Sequence, residues 1–185
     1  MEFERDRGRG YLTHVHPAPS DTNRLYVVTD VCGLYRSDDG GKTFGRIDRT
    51  MSPTSRANVH TRALSVNPRN ADRIAAMTGY RYADRTGLWA SSDGGRTCKQ
   101  KLTVLCNGDD ETRYDGTPQR RDATNSDRLV AATFTEGVYE SIDNGMTWRE
   151  LGKLPGVVPS DLLMDRSNPN TVRHFWIFKA SLGGV

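Results

Sequence analysis

One carboxylate, Asp30, stands where the chain's own repetition provides no acid. It lies five residues after Leu25, and the matching positions after Ile74 and Leu129 hold Gly79 and Phe134. An acid present in one copy of three marks a place where a site can differ from its scaffold. An Asp beside Gly33 can equally accept the amides of its own turn. A second break lies in the middle copy. Leu25 to Gly33 and Leu129 to Gly137 are each eight residues, but Ile74 to Gly87 is thirteen. The insertion brings Tyr80, Arg81, Tyr82, Asp84 and Arg85. Aromatic rings beside Arg and Asp suit a sugar, which offers one apolar face and many hydroxyls; an ordinary surface loop is the alternative. The acidic stretch Asp109-Asp110-Glu111 reads as a solvated loop rather than a calcium site. His14 and His16 share one face of an extended strand, but a metal site needs a third ligand and none is identifiable. Neither a metal nor a cofactor is therefore expected.

These residues hang on a stretch written three times: Gly33-Leu34-Tyr35-Arg36-Ser37-Asp38-Asp39-Gly40-Gly41-Lys42-Thr43-Phe44, then Gly87 to Cys98, then Gly137 to Trp148. Ser37 to Ser91 is 54 residues and Ser91 to Ser141 is 50. A repeat of about 50 residues with strand-like content is a propeller signature. Each copy reads as a hairpin locked by its own side chains: Ser37, Asp39, Gly41 and Thr43; Ser91, Asp93, Gly95 and Thr97; Ser141, Asp143, Gly145 and Thr147. The Asp accepts loop amides, Gly supplies positive φ, and Thr opens the return strand. Residues found in every copy are most simply scaffold, so Tyr35, Trp89 and Tyr139 are expected to pack between blades.

Each copy has the same prelude, an apolar strand (Arg24 to Thr29, Arg73 to Thr78, Arg128 to Thr133) preceded by a Pro- or Asx-rich turn. A still earlier strand, Tyr11 to Val15 or Thr61 to Val66, completes four strands per repeat. The third repeat offers only polar Gly116 to Arg121 for that first strand. The expected fold is all-β: a propeller of four-stranded antiparallel blades over residues 11–185, after a flexible 1–10. Blades are expected at about 11–50, 60–104, 116–152 and, cut short, 157–185. About three and a half blades cannot close a ring of about 4–8, so the chain reads as a fragment whose remaining blades are missing. Antiparallel order puts the repeated third-to-fourth turns on one face with the first-to-second turns. Asp30 and the Tyr80–Arg85 insertion fall on the other.

The chain has 26 basic and 23 acidic residues in mixed order, with no basic patch interleaved with aromatics, so nucleic acid is not an expected partner. It has no apolar run long enough to span a membrane. Three cysteines argue against a disulfide framework. Met1 to Arg7 has no apolar core, so no signal peptide is read there.

The repeated stretch resembles the Asp-box, or BNR, repeat of the sialidase-like superfamily, which also occurs in xyloglucanases, sortilin and photosystem assembly factors. That box marks a fold, not a reaction. Gly10-Tyr11-Leu12-Thr13, His16-Pro17 and Leu25 through Arg36 further resemble the first blade of glycoside hydrolase family 74 xyloglucanases. There the motif runs Thr-Asp-Val/Ile-Gly-Gly-x-Tyr-Arg and its Asp is the catalytic base. The resemblance covers most of residues 10–102, and Cys32 replaces the first motif glycine. It implies an inverting hydrolase of β-glucan or xyloglucan-type polysaccharide, Asp30 as general base, and a general acid from a second propeller that this chain lacks. The chain alone is then expected to be inactive, and its parent to be secreted or periplasmic. The rival is a non-catalytic Asp-box propeller that binds a protein or glycan, like sortilin or the assembly factors.

Overall fold

The computed structural model describes residues 12–29, 33–51, 60–79, 86–106, 117–134, 136–153 and 159–176. Asp30, the insertion 80–85 and the acidic loop 109–111 lie outside them. Among the described residues, fourteen strands follow one another. β1 (Leu12–Ala18), β2 (Asp21–Thr29), β3 (Leu34–Ser37) and β4 (Gly45–Arg46) form the first antiparallel sheet, in sequence order. β5 (Thr61–Asn67), β6 (Asn70–Thr78), β7 (Gly87–Ser91) and β8 (Lys99–Leu102) form the second. β9 (Gln119–Arg121), β10 (Leu129–Ala132), β11 (Val138–Ser141) and β12 (Arg149–Gly152) form the third. β13 (Pro159–Met164) and β14 (Val172–Trp176) pair as a fourth, two-stranded sheet. The only helical element among the described residues is a 3₁₀ turn, Asp48–Thr50. The fold is all-β, an incomplete propeller of four-stranded blades.

The second strand of each blade is apolar on both faces because both faces are covered. Tyr26–Val28, Ile74–Met77 and Leu129–Ala132 are buried throughout. The core is accordingly divided into seams between blades. Tyr26, Val28 and Leu34 of the first blade pack on Leu64, Ile74, Ala76 and Trp89 of the second. Ala63, Met77 and Leu88 of the second meet Ala131, Tyr139 and Trp148 of the third. Val130 and Ala132 of the third meet Leu162, Met164 and Val172 of the fourth. Tyr35 and Trp89 are buried at 4% and 3% exposure, which leaves neither ring available to stack on a ligand.

The structure departs from the sequence expectation at the first-to-second turns, which are tighter than the Pro- and Asx-rich stretches His16–Asp21 and Asn67–Asp72: β1 runs on to Ala18 and only Pro19 and Ser20 turn, and only Pro68 and Arg69 turn in the second blade. Pro17 is tolerated because β1 is the innermost strand, with a partner on one side only. The polar run before the third blade does form an inner strand, β9, paired with Leu129–Ala131. Its arginines supply the packing that apolar residues supply elsewhere. Arg121 Nε donates to Ser65 Oγ of the second blade at 2.9 Å and Nη1 to Asn144 Oδ1 at 2.7 Å. Arg120 reaches forward to Asp161 of the fourth blade at 2.7 Å.

A repeated latch also joins the blades. An Arg near the start of each second strand (Arg24, Arg73, and Arg128 just before β10) reaches into the next blade. Arg24 pairs with Asp72, Arg73 Nη1 with Asp127 Oδ1 at 2.8 Å, and Arg128 Nη1 donates to the Pro169 carbonyl at 2.8 Å.

Candidate functional site

The three repeated turns are closed in the same way. In the first, Ser37 Oγ donates to Asp39 Oδ1 at 2.7 Å and accepts the Gly41 amide at 2.9 Å. Asp39 accepts the Lys42 and Thr43 amides at 2.9 Å and the Thr43 hydroxyl at 2.6 Å. In the second, Ser91 and Asp93 make the corresponding bonds to the Gly95 and Thr97 amides at 2.9 and 2.8 Å. In the third, Ser141 and Asp143 do so at 2.7 and 2.8 Å. The Thr43 hydroxyl and amide, with Ser37, hold the Asp39 carboxyl well below the usual range. For Asp93 and Asp143 burial works the other way, but the same kinds of bond outweigh it and the shift is again downward. These carboxylates are fully spoken for by their own loops.

The turns also fix which rim they occupy. Gly40 donates its amide to the Asn23 carbonyl, Gly94 to Asp72 and Asn144 to Asp127, at 2.7–2.8 Å, so each lies on the first-to-second turn of its own blade. At the opposite ends of the strands, among the described residues, Gly79 donates to the His60 carbonyl at 2.7 Å and Phe134 to the Leu105 carbonyl at 2.8 Å.

Asp30 falls outside the described residues, but its anchors do not. Thr29 Oγ1 donates to the Gly33 carbonyl at 2.8 Å, just as Thr133 Oγ1 donates to Gly137 at 2.9 Å. Gly33 has φ +101°, and a Cβ there would collide with the Asp48 carboxylate. Asp48 is wholly buried and held by Arg46 Nε at 2.6 Å. Burial raises its pKa, against the pull of Arg46. The anchors of the insertion are likewise close-set. Gly79 has φ +96° and sits on Thr86, whose hydroxyl donates to the Val104 carbonyl at 2.8 Å and accepts the Cys106 amide at 3.1 Å. Tyr80, Arg81, Tyr82, Asp84 and Arg85 themselves lie outside the described residues.

His14 and His16 are side by side on β1, ring centroids 5.9 Å apart. Burial, then the neighbouring His14 and Arg120, push His16 down to about 4, and burial with Arg62 and Arg120 lowers His14. Two imidazoles facing arginines disfavour a cation. Among the described residues no cluster of three or more His, Cys, Asp or Glu is placed to hold a metal. Burial pushes the Cys98 and Cys106 thiols up to about 12, so neither is a nucleophile at neutral pH. Nor is any helix among the described residues long and apolar enough to cross a membrane. Sequence reading missed the Arg46–Asp48 pair beneath Gly33, because Asp48 lies past a two-residue strand with no counterpart signal in the other repeats.

No protein-family model matches the chain. It is similar to an oligoxyloglucan-reducing end-specific xyloglucanase of Emericella nidulans, 24% identical over 172 residues, which is 92% of this chain and 20% of the relative. The chain spans about a fifth of the length of the curated relatives it matches, 20% and 18%. A crystal structure of a GH74 xyloglucanase from Xanthomonas campestris superposes with a TM-score of 0.70 at 22% identity, over 89% of this chain and 27% of that one. A structure of YCF48 bound to D1 peptide superposes at 0.51 and 16% identity, over 89% of this chain and 51% of that one. These structural likenesses establish the propeller fold.

Proposed function

We propose that the chain is the base-bearing part of a longer, inverting glycoside hydrolase that cleaves xyloglucan-type polysaccharide. Asp30 takes the proton from the attacking water. A carboxylic acid supplied from beyond this chain protonates the leaving oxygen, about 6.5–9.5 Å away. Tyr80 and Tyr82 offer apolar faces to sugar rings, and Arg81, Asp84 and Arg85 bond their hydroxyls. The blades divide at about 11–50, 60–104, 116–152 and 157–185. The observation that carries this reading is the similarity to a xyloglucanase along 92% of the chain, on a sequence whose unrepeated acid falls at that family's base motif. The architecture supports it. The rim opposite the locked turns is free of their constraint, and a buried Asp48–Arg46 pair braces the glycine that follows Asp30.

One observation favours a second reading. The fold also matches YCF48, a protein solved with a bound peptide, so a non-catalytic binding propeller is the rival. Titrating the isotope-labelled chain with xyloglucan oligosaccharides and following amide shifts separates the two. Shifts at Gly33, Gly79 and Phe134, with Gly41, Gly95 and Gly145 unmoved, are expected. Shifts confined to the locked turns, or none, would contradict glycan binding at this rim.

A further inference from the structure

Gln119 occupies a position that the other blades give to an apolar residue. On the inner strands, the residue paired with the third position after the latch Arg is Val15, Leu64 and Gln119 in turn. The corresponding residue of the fourth blade is Leu162. Leu64 and Leu162 are 6% and 0% exposed and fill their seams. Gln119 is 4% exposed, yet neither its Nε2 nor its Oε1 has a hydrogen-bond partner among the described residues. On the adjoining inner strand, Thr61 is 5% exposed and its hydroxyl is also unpartnered. A buried donor or acceptor left unmade is costly, and leucine would serve the seam better.

Both strands enter from the rim opposite the locked turns. Thr61 is the first residue of β5; Gln119 is the first of the shorter β9, level by register with Leu64 and so three residues further in than Thr61. Pro118 accepts the Ala132 amide at 2.8 Å, and half-buried Phe134 lies two residues further along, on that rim. A glutamine side chain has three rotatable bonds, so its amide can leave the seam when a better partner is offered above it. A carboxamide presents one donor face and one acceptor, which matches two neighbouring sugar hydroxyls.

We propose that Gln119 is a sugar-hydroxyl recognition residue on the third-blade side of this rim, with Thr61 of the adjoining inner strand nearer the rim and Phe134 as apolar surface on it. It rests on the glycan-binding reading above. The ligand class is a neutral oligosaccharide of the xyloglucan type.

The test uses the whole chain, xyloglucan hepta- to nonasaccharides as probe, and Gln119→Leu, the residue that Leu64 and Leu162 already place in the equivalent seams. Calorimetric titration and melting are measured together. The expected result is a melting temperature equal to or above wild type with affinity weakened about tenfold or more. Unchanged affinity in the Leu variant would overturn the proposal and leave the glycan reading standing. A Leu variant that melts well below wild type would also overturn it, because the carboxamide would then have been holding the fold. A wild-type chain that binds none of these sugars overturns both.

Discussion

Asp93 and Asp30 are the same residue type, and the proposed function gives Asp30 a task opposite to that of Asp93. Asp93 Oδ1 accepts both the Ser91 hydroxyl and the Thr97 amide, so its work is to hold a turn. Asp93→Ala is expected to cost about 1–3 kcal/mol in denaturant unfolding, since turn amides lose their acceptor. A stable Asp93→Ala protein with lost sugar binding would contradict that assignment. His16 supplies a pH test. Its folded value of about 4 lies below the ordinary 6.5, so the unfolded chain binds the extra proton between those values. Stability is then full above pH 6.5 and falls as pH drops toward 4, by on the order of 3 kcal/mol if no other group compensates. His14 shifts in the same direction and adds to the slope. Thermal melts from pH 7 to 4 are expected to fall, and His16→Asn to flatten the decline; an unchanged slope in the variant would contradict it. Repetition made the residue scale legible for the boxes, because three copies average out incident. It could not reveal Asp48 or Gln119, whose significance lies in what does or does not surround them in space.

Between blades, the latch arginines matter more than their surface location suggests. Arg73 pairs with Asp127 at 32% and 42% side-chain exposure, a pair worth about 0–1 kcal/mol on its own. It also donates to the Asp143 carbonyl at 3.3 Å, which ties one blade's second strand to the next blade's locked turn. Arg73→Ala is expected to destabilise by about 1–2 kcal/mol. Asp127→Ala should cost less, and a double-mutant cycle should give a coupling below about 1 kcal/mol; a coupling of several kcal/mol would mean the pair, not the carbonyl bond, carries the latch. Element order, strand pairing and the two-rim arrangement were readable because the periods of two and of about fifty are imposed by backbone geometry. The packing of the polar β9 was not readable. Arg120 and Arg121 pack a seam by hydrogen bonds to Asp161, Ser65 and Asn144, partners 23 to 56 residues away that hydropathy cannot see.

At the scale of the whole molecule, three full blades and a two-stranded sheet present one rim of self-satisfied turns and another built from unlike loops. The proposed function places the site on the second rim because the sequence stops repeating itself in the segments between second and third strands. A lone general base contributes about 10²–10⁴-fold, and the departing sugar oxygen also needs a proton, so this chain by itself is expected to leave xyloglucan intact.

The most direct measurement is reducing-end release from tamarind-type xyloglucan by a full-length protein containing this chain, compared with its Asp30→Ala variant, with glycan binding followed separately. The expected result is hydrolysis by the parent, its loss in the variant, and binding retained, because the carboxylate acts on water and not on the glycan. Hydrolysis that survives in Asp30→Ala would remove this residue from the reaction. An inactive parent that still binds glycan or peptide would make the molecule a binding propeller instead.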